Sequence, residues 1–273
     1  MSSRRARSSR RDPAEVRNAA AGAAAAVELV DVRYRYPDGH VALDGVTLRV
    51  ARGERVAVLG PNGAGKSTLC LHLNGILQAT SGTVSAGGLV VSDRTVREVR
   101  RAVGVVFQDP DDMLFMPTVR QDVAFGPANL GLSPPEVETR VGEALDAVGM
   151  RQFADRPPHH LSFGQRKRVA TAAVLAMRPD VLVLDEPSSN LDPRARRELG
   201  EILGGLELTI LMVTHDLPYA LELCKRAVII DAGRIAADGP VTELLADADL
   251  LAAHALELPA GFSLAAFAQQ KGR

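Results

Sequence analysis

Cysteine is scarce in this sequence. Cys70 and Cys224 are the only two among 273 residues, both in apolar, helix-like surroundings, and neither belongs to a Cys-x-x-Cys pair. That excludes a disulfide framework and points to a reducing compartment. Long apolar runs are missing too: none approaches the roughly 18 residues that a membrane-spanning helix needs. The N-terminal alanines are interrupted by arginine, aspartate and glutamate, so they do not read as a signal peptide, and a cytoplasmic location is expected. Neither charge sign dominates. With 32 Lys and Arg against 33 Asp and Glu the formal charge is −1, which leaves no electrostatic footprint for nucleic acid. No internal repeat is present. What remains, 46% hydrophobic and 24% charged residues, is the composition expected of a soluble globular chain with one large α/β domain and a subdomain.

Against that background one stretch stands out: Gly60-Pro61-Asn62-Gly63-Ala64-Gly65-Lys66-Ser67-Thr68. It follows the apolar run 55–59 and precedes a helical pattern from Leu69 to Asn74. That is the strand–loop–helix setting of a phosphate-binding loop, and the spacing G-x-x-x-x-G-K-S is complete. Converging backbone N–H groups and the positive end of the helix dipole would hold phosphate oxygens. Lys66 would reach the β- and γ-phosphates and the Ser67 hydroxyl would ligate Mg²⁺. The ligand expected is a nucleoside triphosphate.

The rest of the chain supports an α/β reading. Residues 1–26 carry arginines at 4, 5, 7, 10, 11 and 17 without an apolar stripe, so a disordered tail is expected. Alternation at Val27, Leu29, Val32, Tyr34 and Tyr36 predicts a strand ended by Pro37-Asp38-Gly39. Val46–Val50 predicts a second, and Thr80–Val84 before Gly87-Gly88 another antiparallel piece. Val103–Phe107 reads as a short buried strand. From 109 to about 165 the pattern turns helical. Ser133 with Pro134, Pro135 and Glu136 marks a helix start, and Val137, Val141, Leu145 and Val148 form one apolar face. A helix at Arg166–Met177, a strand at Val181–Leu184, a helix near Pro193–Leu203 and a strand at Thr209–Val213 follow. A hairpin turns at Asp231-Ala232-Gly233. Residues 241–273 show short helical patches with no assignable chemistry. Alternating strands and helices predict a mainly parallel sheet covered on both faces, with an antiparallel β subdomain and an inserted helical subdomain.

Asp185 ends a wholly apolar strand, so its carboxylate is expected at the C-terminal sheet edge, holding Mg²⁺ mainly through water. Glu186 is placed to polarise an attacking water. A bare Asp-Glu could instead cap a helix; downstream of a full phosphate loop the catalytic role weighs more. Ser162 and Gln165 have capping-box spacing. Ser162 with the Gly164 N–H could also bind a γ-phosphate at the helix N-terminus, and the two readings are compatible.

Taken in order, these residues resemble the ATPase subunit of an ATP-binding-cassette transporter, over about Val27 to Gly239. Leu161-Ser162-Phe163-Gly164-Gln165 is similar to that family's signature, with Phe163 in place of the commoner glycine. His215 matches its switch histidine, Gln108 its Q-loop glutamine, and Ser189-Asn190-Leu191-Asp192 its D-loop. Ser188 stands where threonine is common. The resemblance implies ATP hydrolysis by Glu186, His215 and Lys66, Tyr36 stacked on adenine, and Gln108 joining Ser67 and Asp185 at Mg²⁺. It also implies a cassette domain at 27–240, with its helical subdomain at about 109–165 and a helical extension at 241–273.

Within the family, the stretches 71–77, 107–112 and 125–127 resemble energy-coupling-factor importers, most nearly the cobalt and nickel uptake ATPases. Met113 stands where that group usually has glutamine. The resemblance implies membrane-embedded subunits docking near Gln108 and a second ATPase subunit, identical or paralogous. ATP would then lie between one phosphate loop and the partner's signature segment, at the cytoplasmic face of the membrane. The metal itself is not expected to bind this chain: His159 and His160 are adjacent, where side chains diverge, and no histidines have i, i+4 spacing. Vitamin and other solute importers share the design. A soluble cassette ATPase of translation or DNA repair fits less well, given one phosphate loop, no heptad run and a balanced charge. A phosphate-transferring kinase leaves the signature and His215 unexplained.

Overall fold

Two long strands, β1 (Ala25–Arg35) and β2 (Val41–Ala51), pair antiparallel around the expected turn after Tyr36. The computed structural model describes residues 25–271. The segment 1–24, expected as a tail, lies outside the described residues, whereas Ala25 and Ala26, assigned to that tail, already belong to β1. A register shift between Leu29 and Val32 puts both into the core. Asp31 sits in the shift with φ of 48°, as an extra residue in one strand of a pair requires. The chain continues through β3 (Arg55–Leu59), α1 (Lys66–Leu73), β4 (Ser81–Ala86), β5 (Leu89–Val90), α2 (Val96–Ala102) and β6 (Val103–Val106). Strands β2, β1, β4 and β5 form one antiparallel sheet in that order.

Three helices follow: α3 (Val119–Asn129), α4 (Pro134–Ala147) and α5 (Phe163–Leu175). Helix α4 starts where the sequence places it, with Ser133 and Glu136 closing a capping box. Its Val141 and Leu145, with Val148 beyond, pack against Val119 and Val123 of α3 and Val169 and Ala172 of α5 in a separate apolar cluster. Helix α5 begins at Phe163, three residues before the expected Arg166. Ser162 and Gln165 form a reciprocal capping box, so the capping pair itself sets the start.

The remaining elements are β7 (Val181–Asp185), α6 (Pro193–Gly204), β8 (Thr209–Val213), α7 (Leu217–Leu223), β9 (Arg226–Asp231) and β10 (Arg234–Pro240). Short helices α8 (Val241–Ala246), α9 (Ala248–Ala253) and α10 (Leu264–Lys271) end the chain. The second sheet has the order β10-β9-β3-β8-β7-β6, parallel except for the β10–β9 hairpin. The middles of its inner strands are apolar because both faces are covered. Val56 and Val58 face the cluster shared with the antiparallel sheet and α1, while Ala57 and Leu59 face the one built on α6 and α7. Val181 and Val183 against Leu182 and Leu184 divide the same way, the period of two that a pleated strand imposes. The parallel strands all end at one edge, and the loops carrying residues 60–68, Gln108, Glu186 and His215 leave from it.

Candidate functional site

Strand β3 delivers the loop 60–65 to that edge, and α1 begins at Lys66. The N-cap is Gly65, with φ of 102°. A Cβ there would stand 2.3 Å from the Ala42 carbonyl oxygen, so only glycine lets the loop pass β2 in this conformation. The Gly233 N–H donates to the Ala64 carbonyl at 3.0 Å, tying the loop to the β9–β10 turn. Lys66 is buried, and its Nζ donates to the carbonyls of Gly60 and Pro61 at 2.8 and 2.9 Å. Burial pushes its pKa down, while Glu186 and Asp185 pull it back up.

A cleft of about 300 Å³ opens over this loop, lined by Tyr36, His40, Ala42, Asn62, Gly63, Gly65, Lys66, Ser67, Thr68, Gln108 and Glu186. Tyr36 is held in place by a 3.0 Å hydrogen bond between its hydroxyl and Thr68 Oγ1, and by the edge of Tyr34 at 4.9 Å. The His40 ring lies nearly parallel to that of Tyr36, 19° apart in plane with centroids 6.4 Å apart. The Tyr36 N–H to His40 carbonyl bond across the hairpin sets both on one side. Sequence reasoning missed His40; its position directly after the turn that closes beyond Tyr36 was the available signal.

Asp185 and Glu186 arrive on β7, separated from β3 by β8. Asp185 is half-buried, and burial pushes its carboxyl pKa up. The Ser67 hydroxyl counters by hydrogen bonding, Glu186 adds to the rise, and Lys66 and Lys167 lower it. Its Oδ1 is buried without a hydrogen-bond partner. A hydroxyl, a carboxylate with an orphaned oxygen and the Gln108 amide nearby make a hard-oxygen donor set, which fits Mg²⁺. Glu186 is buried and has φ of 47°. Its Oε2 lies 2.8 Å from His215 Nδ1 and 3.4 Å from the His215 N–H. His215 itself is largely exposed, at the end of β8.

Ser162, Gly164 and Gln165 do not line this cleft. They sit at the exposed N-terminus of α5, where Ser162 Oγ accepts from the Gln165 N–H at 3.3 Å and Gln165 Oε1 accepts from the Ser162 N–H at 2.9 Å. Met113 packs against the core, and its sulfur accepts from the Phe107 N–H at 3.4 Å. His159 and His160, expected to diverge, instead meet edge to face with centroids 4.4 Å apart. The short turn Pro158–His160 folds them together. Among the described residues no group of three or more His, Cys, Asp or Glu is arranged to hold a metal. Sequence reasoning also missed Lys167, whose Nζ donates to the Glu186 carbonyl at 3.0 Å.

Comparison with known proteins places this geometry. The sequence profile of a family described as ABC transporter matches residues 43–189. A protein of Streptomyces avermitilis, provisionally named an ABC transporter ATP-binding protein, is 64% identical over 92% of this chain and 95% of its own. The energy-coupling factor transporter ATP-binding protein EcfA of Carboxydothermus hydrogenoformans is 49% identical, over 86% of this chain and 87% of its own. Among solved structures, cbiO1 from Clostridium perfringens, part of the ABC transporter complex cbiONQ, aligns with a TM-score of 0.75 at 39% identity. The match covers 86% of this chain and 96% of that one. The ATP-binding cassette MJ0796, a dimer in a post-hydrolysis state bound to ADP and Pi, aligns with a TM-score of 0.71 at 28% identity, over 79% and 98%.

Proposed function

The chain belongs to the ATP-binding subunits of the ABC transporters, and from that premise we propose that it powers import of cobalt or nickel ions as part of an energy-coupling-factor complex. ATP hydrolysis by such a subunit is the family's activity. The observation that carries the mechanism is the meeting of Lys66, Gln108 and Glu186 in one cleft, with Ser162 left outside it. Lys66 binds the β- and γ-phosphates on leaving the Gly60 and Pro61 carbonyls. Tyr36 stacks on the adenine, and the loop 60–68 wraps the phosphates. Ser67, Gln108 and Asp185 would hold Mg²⁺, which when bound offsets charge on the β- and γ-phosphates. Glu186 orients the attacking water, and His215 holds the Glu186 carboxylate on the side facing the γ-phosphate.

At about 300 Å³ the cleft is at the small end of ligand sites, so a bound nucleotide keeps an open side. A second subunit, identical or paralogous, covers it with its Ser162, Gly164 and Gln165. Mixing Lys66→Ala with Ser162→Arg chains then rebuilds one good site and one doubly damaged site per mixed dimer. ATP-dependent dimerisation, followed by light scattering, is expected to recover in part. Unchanged dimerisation of the Ser162→Arg chain alone would refute the shared site.

The import reading is supported by the likeness to EcfA and to cbiO1. The subunit would sit at the cytoplasmic face of the membrane, against partner subunits near Gln108. Co-expression with the membrane components of a cobalt or nickel energy-coupling-factor importer should give ATP-dependent cobalt or nickel uptake into vesicles, abolished by Glu186→Gln. Uptake of a vitamin and not of either metal would move the chain to another importer, and recovery with ribosomes or DNA would remove it from transport.

A further inference from the structure

Between α5 and the acidic edge of the cleft lies Lys167, with 1% of its surface exposed. A buried ammonium is costly unless paired or hydrogen-bonded. At a helix position flanked by buried Val169, Ala170 and Ala172, an apolar side chain would be the more stable choice. The Nζ donates to the Glu186 carbonyl at 3.0 Å. Burial pushes its pKa down to about 8 against the pull of Asp185, Glu186 and Asp109, so it stays mostly cationic at neutral pH.

That carbonyl belongs to a residue in an uncommon conformation. The left-handed backbone of Glu186, φ 47°, is strained for a non-glycine residue and persists only where its surroundings enforce it. Its N–H donates to the Val213 carbonyl at 2.9 Å. Its carbonyl accepts from the Ser189 N–H at 3.2 Å and the Ser189 hydroxyl at 2.8 Å. Those two bonds close the local turn. Among the described residues three donors reach this carbonyl, and of these Lys167 alone comes from another element.

We propose that Lys167 is a positioning residue for ATP hydrolysis, locking the Glu186 peptide in the turn that aims its carboxylate into the cleft and tying it to the helix that carries residues 161–165. The inference rests on the proposed role of Glu186. Lys167 follows the N-cap Ser162 by about 7.5 Å along a helix rising 1.5 Å per residue. Helix α5 is anchored twice, by Val169 and Ala172 in the helical cluster and by Val174 under the sheet, so it moves as a rod. Next to Lys167, Arg166 pairs with Asp111 at 2.8 Å, in the loop that follows Gln108. Engagement of the exposed α5 N-terminus by a second subunit's nucleotide is thereby passed to Glu186 of the same chain.

The test uses the full chain carrying Lys167→Met, which fills the space without donating, and Lys167→Gln, one atom shorter but still a donor. Lys167→Met is expected to lower kcat about a hundredfold, the loss that a misplacement of about 1 Å produces, with KM and the ATP Kd within about threefold of wild type. Lys167→Gln should recover at least about tenfold of that. In a Glu186→Gln background, Lys167→Met should cause no further loss, because both act on one group. A kcat within about twofold of wild type for Lys167→Met, or a full additional loss in the Glu186→Gln background, overturns the proposal. If the methionine chain melts below the assay temperature, Lys167→Leu, also apolar and without a donor, decides it: a kcat loss with unchanged KM supports the positioning role, and a wild-type kcat overturns it. Normal turnover by Glu186→Gln alone would instead overturn the reading of Glu186, and this inference with it.

Discussion

Glu186→Gln is expected to bind ATP as tightly as the wild type and to hydrolyse it about a thousandfold more slowly, within the 10²–10⁴ that a positioned proton acceptor contributes. The change is nearly isosteric. The backbone bonds to Val213, Ser189 and Lys167 do not involve the side chain and survive it. The amide oxygen can still accept from His215, which lies 2.8 Å from the carboxylate. What glutamine cannot do is take a proton from water. Nor can it offer the negative charge that orients that water in the transition state, so the loss falls on kcat and spares ground-state binding. Thermal melting should stay close to that of the wild type, because a 7% exposed carboxylate is replaced by a neutral group of the same shape. Steady-state turnover measured beside an ATP titration decides the matter, and turnover within about fivefold of wild type would refute the assignment.

Lys66→Ala is expected to do the reverse and weaken nucleotide binding about a hundredfold, from the loss of charge-assisted hydrogen bonds worth about 3 kcal/mol. Folding stability without nucleotide should change little. The two bonds from Nζ to the Gly60 and Pro61 carbonyls are lost, but so is an ammonium whose pKa burial already pushes down. The contrast is therefore sharpest with ligand present. At ATP of 100 times the wild-type Kd, linkage stabilises the wild type by about 2.7 kcal/mol and a hundredfold weaker variant by about 0.4 kcal/mol. Melting curves with and without ATP read this directly. An ATP-induced shift of wild-type size in Lys66→Ala would show that the lysine does not hold the nucleotide.

Some features of this protein are local and can be read from neighbouring residues alone. The phosphate loop is contiguous, so its spacing, the apolar strand before it and the helix after it carry the whole signal. Strands β7 and β8 are buried on both faces, and their stretches 181–184 and 210–213 read as unbroken apolar runs. The starts of α4 and α5 are capping boxes written into neighbouring residues, although the boundary at Phe163 was placed three residues late, as was the start of α1 at Lys66. Helices α2 and α7 escaped because each is seven residues long, too short for a 3.6-residue period to repeat twice. Other features were decided by the tertiary structure. That Asp185 and Ser67 face each other depends on β7 and β3 flanking β8, a long-range pairing that no local pattern encodes. The edge-to-face contact of His159 and His160 depends on the turn that folds them together. Lys167 shows the limit most plainly. Within Arg166-Lys167-Arg168 it reads as one more cation on a solvated face, yet helix rotation turns it inward to the Glu186 carbonyl. Charge patterns in sequence report composition, whereas burial depends on which side of a helix the rest of the chain covers.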